Sequence, residues 1–112
     1  MLREFGPTVY ILASRRNGTL YTGVTSHLIG RIHEHREGVV PGFTSKYGVK
    51  HLAWFEHRAT MEQAILREKR IKKWNRLWKI ELIEKDNLGW RDLAQDLGFP
   101  RLEPTGSPLS RG

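Results

Sequence analysis

TVYILAS (8–14) is rich in β-branched and aromatic residues and reads as a strand. RRNG (15–18) follows, and TLYTGVT (19–25) then alternates in the period-two manner of a second strand. Asn17-Gly18 between them is a short hairpin signal and predicts a type I′ turn with positive φ at both central residues. In the second strand Tyr21 projects opposite to Leu20 and Thr22, and Gly23 shares its face. A glycine inside a strand predicts a close approach to the backbone.

The period then lengthens to that of a helix. Leu28, Arg31, Ile32 and His35 fall at i, i+3, i+4 and i+7 on one face. The expected helix starts from Ser26 as N-cap, runs to about Glu37 and closes at Gly38. Arg31 and His35 lie on or beside its apolar stripe, as site residues or as side chains snorkelling at the rim. Residues 38–50, rich in Gly, Pro, Ser and Thr, read as a loop carrying Lys46 beside Tyr47. HLAWFEH (51–57) is a third strand.

Residues 60–85 read as one long helix, opened by a capping box of Thr60 and Gln63. Ala64, Ile65, Ile71 and Lys72 bracket Glu68, which puts a carboxylate on the apolar face. Its burial costs several kcal/mol unless it meets a cation, a metal or good donors. Two readings stand: an ion pair with an arginine, or metal binding. Residues 69–79, KRIKKWNRLWK, interleave Lys69, Lys73 and Arg76 with Trp74 and Trp78, a stripe suited to phosphates. A short last helix is expected from about Trp90 to Gly98. Residues 1–98 form one domain in this reading, and the Pro/Gly/Ser-rich 99–112 a disordered tail.

Composition narrows the functions. The 112 residues have room for one modest core. Cysteine is absent, which excludes disulfides and thiolate metal sites. No apolar run approaches the roughly 20 residues of a membrane span, so a cytoplasmic, soluble and monomeric protein is expected. Nineteen Lys and Arg against twelve Asp and Glu leave a net charge of +7. Such a balance favours a polyanionic partner, nucleic acid above all.

The order of these features carries a resemblance. A tyrosine in the first strand (TVYIL), Tyr-x-Gly in the second (YTG), Arg-x-x-x-His on the next helix (GRIHEH) and a glutamate in EQAILREKRIKKW together resemble the GIY-YIG nuclease superfamily, in its small stand-alone bacterial form. Only the tyrosine of the first motif is identical; Thr8 and Thr22 depart at non-catalytic positions. The resemblance covers roughly residues 8–90.

It implies an α/β (α+β) domain, a three-stranded antiparallel sheet flanked by helices. It also implies an endonuclease hydrolysing DNA phosphodiesters with one divalent cation. Repair or processing of single-stranded or branched DNA are the roles in view. On this resemblance Glu68 would hold Mg²⁺ or Mn²⁺, and Arg31 would bind the scissile phosphate. Tyr10 and Tyr21 would position or deprotonate the attacking water, and His35 would assist. Gly23 would let substrate approach the backbone. Lys46, Lys69, Lys73 and Arg76 would contact DNA. Asn87, rather than Asn75, would be the family's polar residue after the glutamate helix. The alternative expectation is a nucleic-acid-binding protein that keeps the fold without the chemistry.

Overall fold

The computed structural model describes residues 6–38 and 47–102. Lys46 and the end of the expected tail, 103–112, lie outside them. Three strands, β1 (Thr8–Ala13), β2 (Leu20–Thr25) and β3 (His51–His57), form an antiparallel sheet in the order β2-β1-β3. The continuous apolar run of β1 has its cause here: as the central strand it is buried along its whole length. Helix α1 (Leu28–Glu37) follows β2, and helices α2 (Met61–Lys73) and α3 (Arg76–Asp86) follow β3. A 3-10 helix, Leu93–Leu97, comes last. The α+β architecture is the one expected.

The sheet separates two apolar clusters. Val9, Ile11, Ala13 and Trp54 face one side with Ala64 and Ile71 of α2 and Ile83 of α3. Tyr10, Leu12 and Leu52 face the other with Leu28 and Ile32 of α1 and Ala94 of the 3-10 helix. Alternation along β1 thus distributes its side chains between the layers. β3 breaks the alternation once. Ile11 pairs with Trp54 but Leu12 pairs with Leu52, leaving Ala53 as an extra residue in a β-bulge. The bulged residue's carbonyl accepts a hydrogen bond from Asn87 Nδ2 at 3.0 Å.

Local structure departs from expectation in four places. The hairpin loop is not a two-residue type I′ turn. Ser14 N–H donates to the Thr19 carbonyl, Gly18 N–H donates to that of Arg15, and Asn17 alone is left-handed, φ 58°. A left-handed residue at the third position belongs to the type II kind of turn. Second, α1 has His27 rather than Ser26 at its N-cap, with no side-chain cap bond; Thr25 Oγ1 instead accepts from His27 N–H. Gly38 closes the helix at φ 75°, as expected.

Third, the helix expected over 60–85 is two helices. Its start holds, with Thr60 Oγ1 accepting from Gln63 N–H at 3.1 Å. Trp74 and Asn75 then turn extended, and Asn75 Oδ1 accepts from Trp78 N–H at 2.8 Å, capping α3. Asparagine competes with the helical ladder for backbone donors, which makes it a better cap than an interior residue. Fourth, the last helix is a single 3-10 segment capped by Asp92 and closed by Gly98 at φ 99°. The chain stays engaged past residue 98. Phe99 packs on the second cluster, and the Pro100 carbonyl accepts from Arg36 Nη1.

The C-terminal segment is fastened by a buried ion pair that the sequence pattern does not announce. Arg36 Nη2 donates to Asp92 Oδ2, and the two side chains are 8% and 4% exposed. Asp92 Oδ1 also accepts from Leu52 N–H and Ala94 N–H. One carboxylate therefore ties α1, β3 and the 3-10 helix together.

Candidate active site

β1 and β2 pair so that Tyr10 lies opposite Gly23 and Leu12 opposite Tyr21. Tyr10, Tyr21 and Gly23 therefore share the face covered by α1. His35, in the last turn of α1, is buried there and completes an aromatic cluster. Ring centroids are 6.3 Å apart for Tyr10 and Tyr21, 6.0 Å for Tyr10 and His35, and 5.7 Å for Tyr21 and His35. The Tyr10 hydroxyl and His35 Nε2 are hydrogen-bonded at 3.2 Å, with the donor set by the imidazole tautomer. Tyr10 is 2% exposed, whereas Tyr21 is only partly buried.

The environment assigns protonation states. Burial first, then the neighbouring Tyr21, raises the Tyr10 pKa far above that of an ordinary phenol; Glu68 and Glu34 act in the same direction, and Arg31 opposes them. Burial first, then Arg31, lowers the His35 pKa, against Glu34. Around neutral pH the cluster therefore holds a protonated phenol and a neutral imidazole.

Arg31 is one helical turn before His35. Its Nη1 donates to Glu34 Oε1 at 3.1 Å, an exposed pair that leaves the guanidinium at the surface beside the aromatic cluster. Glu68 enters from the other layer, since Ala64 and Ile71 on the same face of α2 pack into the opposite cluster. It is 9% exposed, and Lys72 Nζ lies 2.6 Å from its Oε2. The ion pair foreseen for Glu68 thus exists, with a lysine rather than an arginine. The i,i+4 spacing of Glu68 and Lys72 was the available signal for it, as i,i+3 was for Arg31 and Glu34.

No group of three or more His, Asp or Glu converges among the described residues. Glu68 offers a single buried carboxylate. One hard oxygen donor fits Mg²⁺ or Mn²⁺, which keep several waters and share phosphate oxygens. It does not fit a structural zinc, which takes about four protein ligands.

Three expected substrate contacts have other occupations. A Cβ on Gly23 would lie 2.5 Å from the Tyr10 hydroxyl oxygen and 2.6 Å from its Cζ. A close approach at Gly23 is made by the Tyr10 side chain. Arg76 Nη2 donates to the carbonyls of Asn17 and Gly18, both at 2.6 Å, and so braces the hairpin turn. Asn87 is buried and spends its amide on backbone. Nδ2 donates to the carbonyls of Ala53 and Arg91, and Oδ1 accepts from Arg91 N–H. Lys69 and Lys73 are exposed on α2. Trp74 is half-buried against the core, and Trp78 stands in edge contact with it, 53% exposed.

A small antiparallel sheet thus holds a tyrosine pair and a histidine on one face, with an arginine beside them and a glutamate from the next layer. A model of the GIY-YIG catalytic domain matches residues 6–81, and the chain belongs to that family. Within it the chain is similar to the small single-domain UPF0213 proteins. It is 36% identical over 91 residues to one from Clostridium perfringens, covering 81% of this chain and 97% of that one. It is 32% identical over 77 residues to one from Staphylococcus aureus, covering 69% and 93%. The solution NMR structure of the UPF0213 protein of Bacillus halodurans superposes with a TM-score of 0.50 at 26% identity, covering 80% of this chain and 94% of that one. Among the described residues no helix is long and apolar enough to cross a membrane.

Proposed function

We propose that this protein is a divalent-metal-dependent endonuclease hydrolysing phosphodiester bonds in DNA, with Tyr10, Tyr21, Arg31, His35 and Glu68 as its catalytic residues. The observation that carries the reading is the Tyr10–His35–Tyr21 cluster with Arg31 one turn away. Two phenols against a neutral imidazole place proton donors beside a proton acceptor, an arrangement suited to moving a proton.

The residues divide the work by exposure. Tyr10, buried and held protonated, fixes the ring of His35. Tyr21, partly exposed and in edge contact with that ring, orients the attacking water, whose proton passes into the Tyr21–His35 pair. The water oxygen bonds to phosphorus as the ester phosphorus–oxygen bond breaks, and the departing oxygen takes a proton from solvent water. Charge accumulates on the non-bridging oxygens, where the Arg31 guanidinium provides two donors in a fork that matches them. Glu68 would hold the Mg²⁺ or Mn²⁺, whose charge offsets that of the phosphate. Lys69 and Lys73 on α2 contribute sequence-independent attraction to the backbone.

The test is incubation with single-stranded, duplex and branched DNA in Mg²⁺ or Mn²⁺, and in EDTA. Cleavage of at least one substrate in metal and none in EDTA is the expected result. Binding to all three with no cleavage would leave a non-catalytic DNA-binding protein.

A further inference from the structure

Glu68 and Lys72 form an unequal pair. The glutamate side chain is 11% exposed and fixed on the buried face of α2, between Ala64 and Ile71. The lysine is half exposed and reaches it from the next turn on a flexible four-carbon stem. A buried carboxylate requires a cation for neutrality, but its position does not require that cation to be a lysine. The ammonium is a hydrated point charge that rotates into solvent at small cost, whereas Glu68 has no such freedom.

Resting on the reading of Glu68 as the metal ligand, we propose that Lys72 is the exchangeable counter-cation of that site. It neutralises Glu68 in the free protein and yields the carboxylate to a divalent ion. The released ammonium then lies on the same exposed helix face region as Lys69 and Lys73, available to a DNA phosphate. Lys72 is thus a positioning residue that sets metal affinity. A dication must displace a monocation before it gains the carboxylate, so the free protein binds metal more weakly than a bare Glu68 would.

Titration of the DNA-free protein with Mn²⁺, followed by the electron paramagnetic resonance signal of the hydrated ion, measures this directly. Lys72→Gln should bind Mn²⁺ about twofold to fivefold more tightly than wild type, the size of a partly exposed ion pair. Mn²⁺ should also raise its melting temperature more than that of wild type. Lys72→Arg, which keeps the charge and grips a carboxylate in a fork, should bind no more tightly than wild type. Glu68→Gln should lose the binding. If Glu68→Gln loses it and Lys72→Gln gains nothing, the role of Lys72 is wrong and that of Glu68 stands. If Glu68→Gln binds as wild type does, the ion is not at Glu68 and both readings fall. Lys72→Met provides the same comparison should the glutamine variant not fold.

Discussion

Tyr10 stands across the β1–β2 ladder from Gly23, and its phenol fills the space where a side chain at position 23 would begin. The glycine therefore serves the tyrosine. Gly23→Ala should displace the Tyr10 ring, cost about 1–3 kcal/mol as an overpacking substitution, and reduce cleavage together with stability. Tyr10→Phe should not relieve it, because Cζ is as close as the hydroxyl. Denaturant melts of Gly23→Ala with and without Tyr10→Phe check this; an alanine variant as stable as wild type contradicts it.

Arg31 should matter to turnover and little to folding. Its bond to Glu34 is exposed, a class of pair worth about 1 kcal/mol or less. Loss of a transition-state donor is worth roughly 3–4 kcal/mol in comparable sites. Arg31→Ala is expected to melt close to wild type and to lose at least a hundredfold in single-turnover rate, on the order of that donor's worth. A loss under tenfold would reduce Arg31 to a rim residue.

His35 gives a signed pH dependence. Its folded pKa lies below the ordinary ~6.5. Above ~6.5 the ring is neutral in both folded and unfolded chains, and its contribution to stability is full. As pH falls through ~6.5 the unfolded chain takes up the proton first, so stability declines until the lower folded value is passed. His51 and His57 are shifted the same way by burial, so the wild-type curve sums all three. His35→Gln should flatten part of the acid decline in melting temperature. The acid limb of its wild-type rate profile should fall below pH ~6.5.

The basic helices should separate into two effects. Replacing Lys69 and Lys73 by Gln is expected to weaken DNA binding uniformly across sequences and reduce the salt slope by roughly 0.9 for each phosphate no longer neutralised. Arg76→Gln should leave that slope unchanged and lower stability by about 1 kcal/mol, since its donors hold the hairpin turn. A salt titration of the two variants side by side decides it. Equal slopes in the lysine variant and wild type would make α2 a solvated face.

Asp92→Ala should be among the most damaging single changes. It strands the Arg36 guanidinium in a buried position and uncaps the 3-10 helix. Breaking such a pair costs about 3–5 kcal/mol, visible as a large drop in the denaturation midpoint and loosening of the segment around Phe99.

What the sequence revealed and what it hid follow from the range of each interaction. The strand positions, the Gly38 stop and the Thr60 cap depend on neighbours within a few residues, and pattern shows them. The meeting of Tyr10 with His35 was legible only through motif order. The role of Gly23 was not, because it depends on strand register, which the six-residue hairpin connection sets. Asn75 was legible in principle as a cap, but the helical pattern on both sides masked it. The hydrogen bonds that occupy Asn87 and hold Arg76 Nη2 were hidden because a polar side chain bonded to distant backbone and one left to solvent have the same letter. Arg36 and Asp92 are 56 residues apart, and no local rule connects them.

The extra residue at Ala53 has a consequence for how this protein tolerates change in length. Consecutive Ala53 and Trp54 serve one layer, whereas Leu52 and Phe55, three positions apart, serve the other. The two halves of β3 are out of phase, and Asn87 grips the point of the phase change. Removing Ala53 would leave Leu52 opposite Leu12 and Trp54 opposite Ile11, a regular ladder with each apolar side chain still in its own layer, and would take from Asn87 the carbonyl it holds. A one-residue slip of either half of β3 along β1 would instead carry that half's apolar side chains to the wrong layer. The strand therefore has one place where its length can change by a single residue without a change of face.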